Sequence, residues 1–264
     1  MTDAPGPIRP YAALSLRGLT KLFGDRVAVE SLDLDVGSGE LFGFLGPNGA
    51  GKTTTIKLLV GLLRPTAGTA YLCGHDVVLE PVAAKTVAGY VPDQPALYEK
   101  LTGREMLSLA ADLYAVPRQV QAARSELLLE TFALAEHADE LVQSYSRGMR
   151  QKLALGAALL HDPQVLFLDE PTVGLDPLSA RQLKDVLRGL CARQRTVFLS
   201  THVLEVAELL CDRVGVIQRG RLVAVGTPAE LRASGGDATL EEAFLRLTGG
   251  GDPDLRPLLR ALET

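Results

Sequence analysis

Nine residues, Gly46-Pro47-Asn48-Gly49-Ala50-Gly51-Lys52-Thr53-Thr54, carry the clearest chemistry in this chain. Their types and spacing suit a loop that grips a nucleotide triphosphate. Glycines let the backbone curl so that successive N–H groups converge on phosphate oxygens, and a following helix N-terminus adds favourable partial charge. In such a loop the lysine, Lys52, reaches the β- and γ-phosphates, and the Thr53 hydroxyl sits on Mg²⁺. The flanks agree. An apolar run, Leu41-Phe42-Gly43-Phe44-Leu45, precedes the loop, and a helical pattern over 56–63 follows it. Strand, loop and helix is the context this pattern requires; an ordinary Gly-rich turn with a solvated lysine needs neither flank.

Two carboxylates come next. Val165-Leu166-Phe167-Leu168-Asp169-Glu170 is an apolar run ending in acids. A buried strand that terminates in Asp beside a phosphate loop completes the Mg²⁺ shell, which is the role read for Asp169. Glu170, one residue further, is placed to accept a proton from an attacking water. Its plain alternative is an acid at a strand end, where acids are common. Ser200-Thr201-His202 closes another apolar strand, so His202 emerges at the same sheet edge as Asp169, where open α/β sheets place ligands. There its imidazole hydrogen-bonds the γ-phosphate or orients the pair of water and Glu170. His75, His137 and His161 have no such setting and read as surface residues. Tyr145-Ser146-Arg147-Gly148-Met149-Arg150-Gln151 opens a helix read over 152–160, with Ser146 as its cap and Gly148 keeping side chains away from its first turn. Such an exposed helix start is a second anion site, although simple capping also accounts for it.

These groups need a sheet to hold them. Residues 11–74 read as strand-rich, with 27–36 alternating like a half-buried antiparallel strand, and 87–91 is expected to continue that lobe. Between about Leu101 and Leu160 the period turns helical, with Thr102 as an N-cap and Pro117 breaking the pattern before a long run to His137. Strands and helices then alternate over 165–168, 178–193, 196–199, 203–211 and 214–217, which argues for a parallel sheet covered by helices. Gln218-Arg219-Gly220-Arg221 reads as a hairpin turn before a strand over 222–225. Residues 249–264 read as a flexible tail with a short helix.

Bulk properties narrow the class. The chain has 264 residues, 47% hydrophobic and 22% charged, with a formal net charge of −5. An acidic balance gives no broad footprint for nucleic acid, and none is expected as a partner. No apolar stretch is long enough to span a bilayer, and residues 1–10 lack a basic-then-apolar signal pattern. Cys73, Cys191 and Cys211 are odd in number and far apart, so they read as small buried hydrophobes rather than disulfides or a zinc site.

At this point the ordered series resembles the ATP-binding subunits of ABC transporters. The resemblance covers roughly 14–248, and the domain it implies runs over 11–248. The glycine loop resembles the Walker A motif, and 165–170 the Walker B motif with its catalytic glutamate. Residues 146–149 resemble the signature loop, 174–176 the D-loop that contains Asp176, and His202 the switch histidine. Phe23 stands where an aromatic residue stacks on adenine. The implied fold is α/β: a P-loop NTPase core with a mixed, mainly parallel sheet, an antiparallel N-terminal β-subdomain and a helical signature-bearing subdomain at about 96–160.

The resemblance also implies a mechanism. Two such domains meet head to tail and close ATP between residues 46–53 of one chain and Ser146 and Gly148 of the other. Hydrolysis lets them part, and the cycle moves a membrane-spanning permease between two states. The implied location is cytoplasmic, peripheral at the cytoplasmic face of the membrane. Two departures stand out. Arg147 and Met149 replace the usual glycine and glutamine of the signature, a form similar to exporter subunits of the ABC-2 type. In Val91-Pro92-Asp93-Gln94, Asp93 takes the place directly after proline where a glutamine is common, and either Asp93 or Gln94 touches Mg²⁺ or the attacking water. The segment 96–99 is expected to line the groove that meets the membrane chain. The competing readings are a soluble ABC-type ATPase serving an assembly process and, last, an unrelated P-loop enzyme such as a small-molecule kinase.

Overall fold

Two sheets divide the strands, and the patterning of each follows from what covers it. The structure, a computed structural model, describes residues 12–172 and 177–249. In the first sheet β1 (Ala12–Phe23), β2 (Arg26–Gly37), β4 (Ala67–Leu72) and β5 (His75–Asp76) run antiparallel in the order β2-β1-β4-β5. Leu32, Leu34 and Val36 alternate inward along β2 and are buried, as the sequence pattern predicts for a sheet with one wet face. The second sheet has the order β10-β9-β3-β8-β7-β6. Its members are β3 (Leu41–Leu45), β6 (Ala88–Val91), β7 (Val165–Asp169), β8 (Thr196–Thr201), β9 (Arg213–Gln218) and β10 (Arg221–Gly226). All pair in parallel except β10, which folds back on β9 as the expected hairpin.

Strands β3, β7 and β8 are buried along their whole length, which is why 41–45, 165–168 and 197–199 read as apolar runs. Alternation sorts them by face. Phe42, Phe44, Phe167 and Phe198 point to one side, with ring centroids 5.2–5.7 Å from Phe198, and share a cluster with Ile56, Leu58 and Leu59 of α1 (Lys52–Leu59). Leu41, Leu45, Leu166, Leu168 and Leu199 point to the other side and pack with Leu107, Leu153 and Leu155. The helix that follows the glycine loop is thus bolted to the sheet by aromatic packing. Truncating Phe198 to Ala should cost about 3–5 kcal/mol.

Short helix α2 (Pro81–Thr86) leads into β6. The helical part consists of α3 (Gly103–Leu113), α4 (Arg118–Thr131) and α5 (Arg147–Leu159), joined by two 3₁₀ turns. Thr102 caps α3 in a full capping box with Glu105. The remaining helices are α6 (Pro177–Ala192), α7 (Leu204–Leu210), α8 (Pro228–Ala233) and α9 (Leu240–Thr248).

Three expectations change. Segment 88–91 is not part of the antiparallel lobe; it is the edge of the parallel sheet, where Ala88–Val91 pairs with β7. The run after Pro117 stops at α4, because Ala133 takes a positive φ of 53° and breaks the helix before His137. His161 is not a surface residue. It stacks on Tyr114 with centroids 3.7 Å apart and its Nε2 donates to the Ala88 carbonyl at 3.0 Å. Cys211 is buried as expected, whereas Cys73 and Cys191 are half-buried, and all three thiols are free. The tail over 250–264 and the segment 173–176, Asp176 included, lie outside the described residues.

Candidate nucleotide-binding site

The glycine loop is pinned from below. Gly51 takes a φ of 112°, and a Cβ there would stand 2.6 Å from the Ala28 carbonyl oxygen; only glycine allows both the turn and that approach. A Cβ at Gly46 would stand 2.5 Å from the Ile217 carbonyl. The first sheet and β9 therefore press on the loop and fix its curl. Helix α1 starts directly from it, and no side chain of the described residues caps its N-terminus. Helices α3, α5, α8 and α9 each carry a Thr or Ser cap. The first N–H groups of α1 are left for an anion, which is what a phosphate site requires.

Around this loop the structure gathers a cleft of about 410 Å³, open to solvent. Its lining includes Phe23, Pro47, Asn48, Gly49, Gly51, Lys52, Thr53, Thr54, Asp93 and Glu170. Phe23 is 48% exposed at its rim, with the Lys21 ammonium 5.1 Å from its ring centroid. Arg26 and Ala28 also line the cleft. Sequence reasoning missed both, although Arg26 pairs with Phe23 across the β1–β2 hairpin.

Lys52 is 6% exposed, and its ammonium donates to the Gly46 carbonyl at 2.6 Å and lies 3.5 Å from Glu170 Oε1. The Thr53 hydroxyl donates to Asp169 Oδ2 at 2.7 Å. Asp169 is buried and accepts at its other oxygen from Ser200, its partner in the parallel register of β7 and β8. Ser200 had no role in the sequence reading; a polar residue in an otherwise apolar strand was the available signal. Glu170 sits just past the strand with a positive φ of 51°, a backbone state that non-glycine residues occupy at a cost. That turn aims its carboxylate at His202, whose Nδ1 is 2.9 Å from Oε1 and whose backbone N–H is 3.3 Å from Oε2.

A hydroxyl and nearby carboxylates make a hard-oxygen set that suits Mg²⁺. Among the described residues no three His, Cys, Asp or Glu side chains form a metal-holding group. That partial shell is how proteins hold Mg²⁺ when substrate phosphates supply the other ligands. One further polar group was not foreseen. The Tyr90 hydroxyl on β6 is buried without a hydrogen-bond partner among the described residues, and burial, reinforced by the charges of Asp169 and Asp93, pushes its pKa up to about 12.

The helix start read as a second anion site is that of α5. Ser146 is its N-cap and accepts from the Met149 N–H at 3.2 Å, and its own O–H remains a donor. The helix begins at Arg147, earlier than the pattern suggested. A Cβ on Gly148 would meet no atom of the described residues within 4 Å, so the helix start is open. Of the two candidates after β6, Asp93 lines the cleft, whereas Gln94 is exposed and does not.

The family description ABC transporter matches residues 29–173. The daunorubicin resistance ATP-binding protein DrrA3 of Streptomyces coeruleorubidus is 44% identical over 88% of this chain and 74% of its own length. The Nod factor export ATP-binding protein I of Burkholderia lata is 44% identical over 84% of this chain and 73% of its own. A solved ATP-binding subunit of an ABC transporter superposes with a TM-score of 0.85 at 33% identity, covering 89% of this chain and 99% of that one. The chain belongs to the ABC transporter family, as one of its ATP-binding, ATP-hydrolysing subunits.

Proposed function

We propose that this subunit energises a membrane exporter of the ABC-2 type, working as a head-to-tail pair on separate membrane-spanning chains. The observation that carries the reading is the joint placement of Thr53 on Asp169 and of His202 on Glu170 around one cleft. Lys52 and the N–H groups of residues 46–54 hold the triphosphate, and Phe23 stacks on the base. Thr53, Asp169 and Asp93 would hold Mg²⁺, which would neutralise charge on the phosphates. Glu170 takes a proton from the attacking water, and His202 holds Glu170 and that water in line. Ser146 and Gly148 close on the nucleotide of the second copy, and Asp176 serves as the D-loop residue.

The unit that acts in this way spans 11–248, with the helical part at about 96–160 and the tail over 249–264 as an appendage. Among the described residues no helix is long and apolar enough to cross a membrane, which suits a subunit placed peripherally at the cytoplasmic face. Relatives named for drug resistance and for Nod factor export favour export over an assembly role. The test is co-purification from membranes with a polytopic chain, with ATPase activity that depends on Mg²⁺. A subunit that never associates with membranes and hydrolyses nothing would overturn the reading.

A further inference from the structure

Two of the three positions at which the sequence departs from its family's pattern touch each other. Arg147 Nη2 lies 3.5 Å from Asp93 Oδ1. Asp93 lines the nucleotide cleft beside Lys52, Thr53 and Glu170, and Arg147 is the first residue of α5. The pair therefore ties the start of α5, the last helix of the helical part, to the wall of the cleft. A second arginine on the same turn, Arg150, holds Glu99 at 2.9 Å. The connecting segment between β6 and α3 is thus gripped at both ends by α5.

Charge placement makes this contact conditional. A cation at a helix N-terminus opposes the helix dipole, and the first turn of α5 holds no acid, whereas those of α3, α8 and α9 do. Arg147 gains from an anion supplied by another element, and Asp93 supplies it. Both side chains are open, with 59% and 44% exposure, so the pair belongs to the weak class that a stronger competitor displaces.

We infer that Arg147 is a positioning residue that acts through Asp93: it holds the carboxylate in the nucleotide-free protein and surrenders it to nucleotide-bound Mg²⁺. Binding then unties α5 from the cleft wall and frees the helical part to move. This inference rests on the proposed metal role of Asp93.

The test is a double-mutant cycle on nucleotide binding by the full-length chain, read by calorimetry with ATP in Mg²⁺ and again in EDTA. Arg147→Met should tighten MgATP binding about two- to fivefold, the size of an exposed ion pair removed as competitor. In EDTA the same variant should bind ATP no better than wild type, since the uncovered Asp93 charge repels the phosphates. In an Asp93→Asn background Arg147→Met should have no effect, whereas Arg147→Lys with Asp93 intact should behave like wild type. At protein concentrations where light scattering shows single chains, hydrogen exchange at 147–150 should rise when wild type binds MgATP. A neutral Arg147→Met, or an effect that persists with Asn at 93 or without Mg²⁺, overturns the inference. Wild-type binding indifferent to Mg²⁺ would instead overturn the metal site on which it rests.

Discussion

Glu170 Oε1 is shared by two nitrogens, His202 Nδ1 at 2.9 Å and Lys52 Nζ at 3.5 Å. The three residues come from the ends of β7 and β8 and the start of α1, so one carboxylate oxygen joins all three parts of the site. Removing its charge should leave nucleotide binding in place and disable proton transfer. Glu170→Gln is expected to lower turnover by about 10²–10⁴, retain ATP affinity and accumulate an ATP-bound pair of chains. Phosphate release and light scattering read both effects, and turnover near wild type would remove Glu170 from the mechanism.

Lys52 is satisfied by a backbone carbonyl in the loop, so its loss should act on ligand binding more than on folding. Lys52→Ala is expected to weaken ATP binding by about 10- to 100-fold, the worth of one charge-assisted hydrogen bond. Titration with a fluorescent ATP analogue checks it; undiminished affinity refutes the assignment.

Ser200 fixes one oxygen of Asp169 while Thr53 meets the other. Without that hydroxyl the carboxylate is free to swing. Ser200→Ala should raise the Mg²⁺ concentration for half-maximal activity about three- to tenfold, the penalty for one lost partner of a charged group. Ser200→Thr, which keeps the hydroxyl, should be closer to wild type. A Mg²⁺ titration unchanged by Ser200→Ala would show that Thr53 alone orients the acid.

The open start of α5 is where a second chain is proposed to close. Ser146→Arg should spare nucleotide binding by the single chain yet prevent ATP-dependent association, as followed by light scattering. Dimers that persist in this variant would sink the cross-subunit reading of the loop.

His161 introduces a pH dependence. Burial pushes its pKa below the ordinary histidine value, and its Nδ1 has no partner among the described residues. The unfolded chain therefore binds this proton more readily than the folded one. Its stabilising contribution is full above about pH 6.5 and is lost as pH falls below that, toward the lowered folded value. His161→Phe should show a smaller drop in thermal midpoint between pH 7.5 and 5.5 than wild type. Equal drops in the two proteins would mean that another group sets the acid sensitivity.

Local chemistry made much of this protein legible from its residues in order. Gly51, Lys52 and Thr53 announce a phosphate loop because loop, lysine and helix start are contiguous, and their relations are set by backbone geometry alone. Thr102 and Ser146 could be named as caps because a cap acts within three residues. The alternation of short apolar runs with helical stretches after residue 165 named a covered parallel sheet.

Relations between distant segments were decided only by tertiary structure. Strand order put Ser200 against Asp169, and a side chain's cross-strand partner is invisible until the register is known. Ala88–Val91 joined the parallel sheet although its own composition suits either sheet, because pairing depends on which edge is free. His161 is half-buried because Tyr114, just past α3, stacks on it. The contact between Arg147 and Asp93 spans 54 residues, and no periodicity encodes an ion pair at that range. Sequence specified which groups do chemistry; the packing of β6, β7 and α5 against one another specified which of them meet.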